Sequence, residues 1–347
     1  MINLYIGDFY YDSNYRPYLV DILKPFFPEK NLAKYHLTNI AFKIIQNRNE
    51  SFFFLLPFCW NYYVETDTIS VAARLIEEAR ENRKKILIWV TGDDYFSLPQ
   101  FDNVIGLYTS PYKSRQNVRT IPLPVIIRDP LIFLELDTIK TRGYNETPSI
   151  GFCGQADPNL IISTIKMAEL IWKKTKYKFH LSKCYPGTAT PSTYLRKKVL
   201  DILDKTNTLH TEFIRRDRYQ GGKSKKDDSY ENLRKEFYCN IKNTDYTLCI
   251  RGTGNFSARF YETLALGRIP IFINTDCILP FNDVIDWKKH VIWIEQNEIS
   301  EIETKILQFH HSLTEELFQK IQKENRMLWE NYFKFSGFYK ELSILLK

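Results

Sequence analysis

Apolar and polar positions along this chain alternate in two series. In the first, apolar β-rich runs at residues 3–6, 51–56, 85–90, 104–108 and 119–121 read as buried strands. Between them, residues 68–81 carry Ile69, Ala72, Ala73, Leu75 and Ile76 on one helical face. The second series opens with a strand at 149–153, then a helix over about 159–174 and a strand at 176–181. Residues 215–230 are polar and contain glycine, which predicts a mobile loop. A helix at 231–241 leads to a strand at 246–250, and a further strand covers 269–273. The chain ends in helical periodicity over 301–311, 314–332 and 338–345. Strands alternating with helices imply parallel sheets covered on both faces. Pro122, Pro124, Pro130 and Pro148 interrupt the pattern between the two series. The expected division is therefore 1–125, a linker at 126–148, a second domain at 149–320, and helices at 321–347 that pack back toward the first domain.

Composition narrows the class. The chain has 347 residues, 44% hydrophobic and 26% charged, as expected of two domains with sizeable cores. Its net charge of +7 suits an anionic ligand and leaves room for an anionic membrane face. The charge is too evenly spread to indicate nucleic acid. The six cysteines contain no Cys-x-x-Cys pair, so reduced thiols and no zinc site are expected. The first residues, MINLYIGDFYYD, form a strand pattern and not a signal peptide. A cytoplasmic location follows as the expectation, with peripheral attachment to the inner membrane face as an option.

The most specific chemistry lies in RGTGNFSARFYETLALGRIPIFI, residues 251–273. A buried strand runs into a loop with Gly252, Gly254 and Asn255. Ser257 stands at the predicted N-cap of a helix that keeps Phe260, Leu264 and Ala265 in register and stops at Gly267. A helix N-terminus offers unpaired N–H groups and a positive dipole end. With Arg251 and Arg259 flanking it, the unit describes a diphosphate site. It is not a Walker loop, because no Gly-Lys-Ser/Thr follows. It is not the dinucleotide fingerprint, because Ser257 stands at the sixth position.

These residues resemble the exostosin family of glycosyltransferases (family 47). The likeness rests on Arg251-Gly252, on Ser257-Ala258-Arg259-Phe260-Tyr261-Glu262 and on Gly267-Arg268-Ile269-Pro270-Ile271. It continues through Leu279-Pro280-Phe281 and Ile285-Asp286-Trp287, and more weakly through Leu56-Pro57-Phe58-Cys59-Trp60 and Ile121-Pro122-Leu123-Pro124. The resemblance implies the α/β fold called GT-B, in which two doubly wound Rossmann-like domains face a cleft and helices follow at the C-terminus. It also implies transfer of a sugar from a nucleotide donor, expected to be UDP-linked, with inversion. The acceptor is expected to be an oligosaccharide or a lipid-linked glycan. Glu262 would accept hydrogen bonds from the ribose hydroxyls. No Asp-x-Asp motif occurs, so neither metal nor other cofactor is expected.

Other candidates come from position alone. Gly154 follows the first strand of the second domain and is expected to face the cleft. Of Arg215 and Arg216, one is expected to close over the donor phosphates, with Arg215 the candidate. Asp8, Glu65, Asp93 and Asp94 follow predicted strands of the first domain and compete for the role of catalytic base. No histidine has an evident carboxylate beside it. Two rival classes remain: a non-catalytic module partnering an active transferase, and a nucleotide-sugar epimerase or dehydrogenase. The latter would need a GxGxxG turn that GFCGQA at 151–156 does not supply.

Overall fold

The computed structural model describes residues 1–156, 160–187, 190–218, 222 and 229–347. The first domain contributes strands β1 (Ile2–Tyr5), β2 (Phe42–Ile44), β3 (Phe53–Leu55), β4 (Lys85–Val90), β5 (Tyr95–Phe96), β6 (Val104–Tyr108) and β7 (Arg119–Pro122). Six of them form one sheet in the order β2-β1-β3-β4-β6-β7, and every pairing in it is parallel. Parallel strands are covered on both faces, which is why KILIWV and VIGLY are apolar nearly throughout. Helices α1 (Trp60–Glu65) and α2 (Ile69–Glu81) follow β3, and α2 buries Ala72, Ile76 and Ala79.

Helix α3 (Pro130–Phe133) stands in the connecting segment, with Pro130 in its first turn and the Asp129 carboxylate accepting from Leu131 N–H. The second domain has strands β8 (Ser149–Gln155), β9 (Cys184–Tyr185), β10 (His210–Arg216), β11 (Tyr246–Cys249), β12 (Ile269–Asn274) and β13 (Ile292–Glu295). Five of these form a second parallel sheet, β10-β8-β11-β12-β13. Helices α4 (Leu160–Lys178), α5 (Ser192–Leu203), α6 (Ser229–Asn243) and α7 (Ala258–Ala265) connect its strands. Helices α8 (Ile302–His311), α9 (Glu315–Leu328) and α10 (Phe335–Leu345) end the chain. α10 lies on the first sheet: Tyr339 meets Phe42 edge to face at 5.0 Å.

Several expected elements shift. Residues 176–178 are the last turn of α4 and not a strand. The six-residue alternation KYKFHL was too short to outweigh a helix already running, which stops at His180 in the left-handed region (φ 57°). The loop expected over 215–230 lies largely outside the described residues, and its first two residues are the end of β10. β10 is an edge strand of half-exposed residues, so HTEFIRR lacks an apolar run. The helix expected from residue 159 begins within the described residues at Leu160.

The domains share one hydrophobic cluster, and polar contacts follow one border between them. β5 of the first pairs antiparallel with β9 of the second, Tyr95 opposite Tyr185. Ser114 N–H donates to the Asp276 carboxylate at 3.1 Å. The Asn255 N–H donates to Ser110 Oγ at 2.6 Å, and Asn255 Nδ2 donates to the Pro111 carbonyl at 2.9 Å.

Candidate donor and acceptor sites

A cavity of about 580 Å3 opens where β8 and β11 end and α7 begins. This is where ligands gather in open parallel sheets. Arg259, in the first turn of α7, is buried beneath it. Its Nη2 donates to the Cys153 carbonyl at 2.7 Å and its Nη1 to the Leu248 carbonyl at 3.2 Å. The guanidinium lies over the Phe152 ring, 4.2 Å from its centre. Gly154 makes this seat: a Cβ there would come within 2.6 Å of Arg259 Nη2. Burial pushes the Arg259 guanidinium below its ordinary value. Among the described residues no carboxylate pairs with it, and its Nε has no partner. An uncompensated buried cation is costly unless an anion arrives.

Four more cations line the same cavity: Lys166, Arg196, Arg216 and Arg234, against the carboxylates Asp93 and Glu262. Glu262 is engaged by Arg234 at 2.8 Å, and Arg234 lies over the Tyr238 ring. Arg216 bonds the Leu233 carbonyl at 3.0 Å and pairs with Glu236. Ser257 occupies the N-cap position, but its hydroxyl makes no capping hydrogen bond and lines the cavity.

Of the residues singled out in the sequence, Gly154, Gly252, Ser257, Arg259, Glu262 and Asp93 line this cavity together. Others go elsewhere. Arg215 sits on the opposite face of β10 from Arg216 and is held by Asp201 of α5 and by Asp204 just after it, so Arg216 is the cavity residue of the pair. Arg251 is buried to the side, bonding the carbonyls of Gly252 and Thr190. The Asn255 side chain is consumed in the domain joint, where its Oδ1 also accepts from Thr275. Gly254 serves the same joint: a Cβ there would lie 2.6 Å from Ser110 Oγ and 2.8 Å from the Asp93 Cα.

The four carboxylate candidates also separate. Asp93 lines the cavity from the first domain and accepts from the Gly254 N–H. Desolvation there raises its carboxyl above the usual aspartate range, although the residue stays solvent-accessible. Asp94 lies beside the Cys184 thiol, at 3.4 Å. Glu65 is exposed at the end of α1 and accepts from the Tyr18 hydroxyl. Asp8 is exposed and lines neither cavity.

A second cavity of about 290 Å3 lies at the ends of β4, β6 and β7, lined by Thr91, Gly92, Thr109 and residues 124–126. Asp21, paired with Lys24 at 2.6 Å, stands on its wall. Phe256, at the tip of the glycine loop, belongs to both cavities. The Gly252 N–H donates to the Phe256 carbonyl at 2.9 Å and closes that loop. Arg196, Arg234, Lys166 and Asp21 carried no motif in the sequence. Phe256 lay inside the motif, but its spacing gave no sign that it would face two ways.

Residues 182–309 match the Exostosin GT47 domain. Among curated proteins, the chain is 29% identical to Exostosin-1 of Drosophila melanogaster over 107 residues, 31% of this chain and 14% of that protein. It is 29% identical over 75 residues to a probable beta-1,4-xylosyltransferase, IRX10, of Arabidopsis thaliana, 22% of this chain and 16% of that protein. A probable glucuronosyltransferase of Oryza sativa subsp. japonica, GUT1, matches at 28% over 75 residues, again 22% of this chain and 16% of that protein. The matches thus span less than a fifth of these relatives' length. Among solved structures, a glycosyltransferase from Rickettsia africae aligns over 85% of this chain and 89% of its own, at 11% identity and a TM-score of 0.35. Two parallel sheets with a cleft at their carboxyl ends define the fold. Residues 182–309 of this chain are thus similar to an exostosin GT47 domain, and they lie in a two-domain α/β architecture built on two parallel sheets.

Proposed function

We propose that the protein is an inverting glycosyltransferase that moves a sugar from a UDP-linked donor to a growing glycan without a metal ion. The observation that carries this reading is Arg259, a buried cation at a helix N-terminus that, among the described residues, has no carboxylate partner and faces a cavity with four further cations. That environment suits a diphosphate. Two relatives, a probable xylosyltransferase and a probable glucuronosyltransferase by name, agree with sugar transfer.

The donor diphosphate rests over Arg259 and the start of α7, and Glu262, held by Arg234, accepts from the ribose hydroxyls. The acceptor occupies the smaller cavity on the first domain, with Phe256 between the two sugars. The acceptor oxygen attacks the anomeric carbon, and the bond from that carbon to the β-phosphate oxygen breaks. UDP leaves with the electron pair, and the acceptor proton passes to Asp93. Arg259, Arg216 and the helix dipole offset the charge that develops on the leaving group. The missing Asp-x-Asp motif supports metal independence. The acceptor is an oligosaccharide or a lipid-linked glycan, and the location is cytoplasmic.

Calorimetry with UDP in millimolar EDTA tests the site. Binding is expected; binding only after divalent ions are added overturns the metal-free reading. A screen of nucleotide sugars for hydrolysis and transfer tests the activity. UDP binding with neither hydrolysis nor transfer would favour a non-catalytic module instead.

A further inference from the structure

Helix α4 spans 19 residues, yet no described side chain between 164 and 178 is buried. The neighbouring α5 buries five of its twelve residues. What α4 exposes is apolar: Ile165 is 53% exposed, Trp172 59%, and beyond the helix end Phe179 64% and Leu181 75%. Ile165, Ala168, Trp172 and Phe179 recur at helical spacing, so they share one stripe. A contiguous exposed stripe of this kind marks an interaction surface.

Charge identifies what it meets. Six lysines and a single carboxylate, Glu169, lie between residues 164 and 183. Lys176 Nζ sits 5.1 Å from the centre of the Trp172 ring, and Lys173, Lys178 and Lys183 are exposed. A lone tryptophan ringed by lysines on an apolar stripe is the chemistry of an interfacial helix. The ring enters the headgroup boundary while ammonium groups reach lipid phosphates. No helix of the described residues is long and apolar enough to cross a membrane, so contact with lipid is lateral.

We propose that α4 and the turn after it form a docking surface for an anionic lipid bilayer. Lys166 lines the donor cavity from the flank of α4 one residue round from Ile165. The cavity is therefore held within about one helix diameter, ~10–12 Å, of the bilayer. The surface stands apart from the donor-site reading, because lipid binding can fail while UDP binding persists.

Co-sedimentation with vesicles of phosphatidylcholine alone, or with 30% phosphatidylglycerol, tests it. The full chain is expected to pellet with the anionic vesicles only, and to be released by 0.5 M salt. Trp172→Glu should abolish binding. Lys173→Gln and Lys176→Gln should each lower partitioning about fivefold. All three variants should bind UDP as before, which shows that they are folded. No pelleting at low salt, or pelleting that these variants leave unchanged, overturns the proposal. A concentration-dependent dimer that Trp172→Glu disperses also overturns it, by assigning the stripe to a second copy of the chain.

Discussion

Arg259 holds its place through two carbonyls and a phenyl ring, none of which neutralises it. Replacing it with alanine should lower kcat by about 100-fold, or ~2.7 kcal/mol, and weaken UDP binding, while circular dichroism stays native. Steady-state kinetics and calorimetry check both. Glu262→Ala should mainly raise the donor KM, because ribose contacts are similar in ground and transition states. It should also lower Tm, because Arg234 loses its carboxylate in a half-buried site. Asp93 brings pH into play. A base must be ionised, and desolvation raises its carboxyl, so kcat/KM should fall as pH drops through a value above the ordinary ~3.9 of aspartate. The sign for stability is the reverse of the usual aspartate case. The Asp93 contribution to the fold is fully present below its unfolded value and is lost as pH rises through the folded one. Asp93→Asn should abolish transfer and its acid limb and leave UDP affinity unchanged; full activity in this variant would exclude Asp93 as the base.

At the scale of elements, α7 shows both what periodicity reveals and what it hides. Its strand–loop–helix–strand setting, its stop at Gly267 (φ 63°) and its basic first turn were legible, because apolar spacing and a glycine in left-handed backbone leave marks in sequence. The side-chain choice at each position was not. Ser257 reads as a cap, yet its side chain makes no capping bond and the residue lines the cavity. A capping serine contributes about 1 kcal/mol. Ser257→Ala should therefore cost far less than that in thermal melts while impairing donor KM, a split that a true cap would not give. Arg215 and Arg216 make the same point about strands. Period-two alternation sends neighbours to opposite faces, but once the segment was read as a loop there was no face to assign. Residues gathered from separate helices, such as Arg196 and Arg234, leave no mark in local pattern at all. Only the tertiary fold brings α5 and α6 to one rim.

For the molecule as a whole, the joint between the domains decides how the site is held. Gly254 lies where the first domain presses hardest on the second, and Gly254→Ala forces a methyl group to 2.6 Å from Ser110 Oγ. Overpacking of this kind costs about 1–3 kcal/mol. The expected result is a lower Tm and slower transfer, with UDP affinity largely kept because Gly254 does not line the donor cavity. Native stability in that variant would mean that the seam yields without loss. Further contacts follow the same border, from the β5–β9 ladder through Asp276 to Asn255, and Tyr339 of α10 adds a separate tie to Phe42 of the first sheet. Any relative movement of the domains must therefore strain this border and carry α10 with it, and the Asp93 carboxylate, tied to the Gly254 amide, stays with the glycine loop. A proton acceptor at Asp93 would thus keep its distance from the loop at the start of α7 whichever way the domains shift.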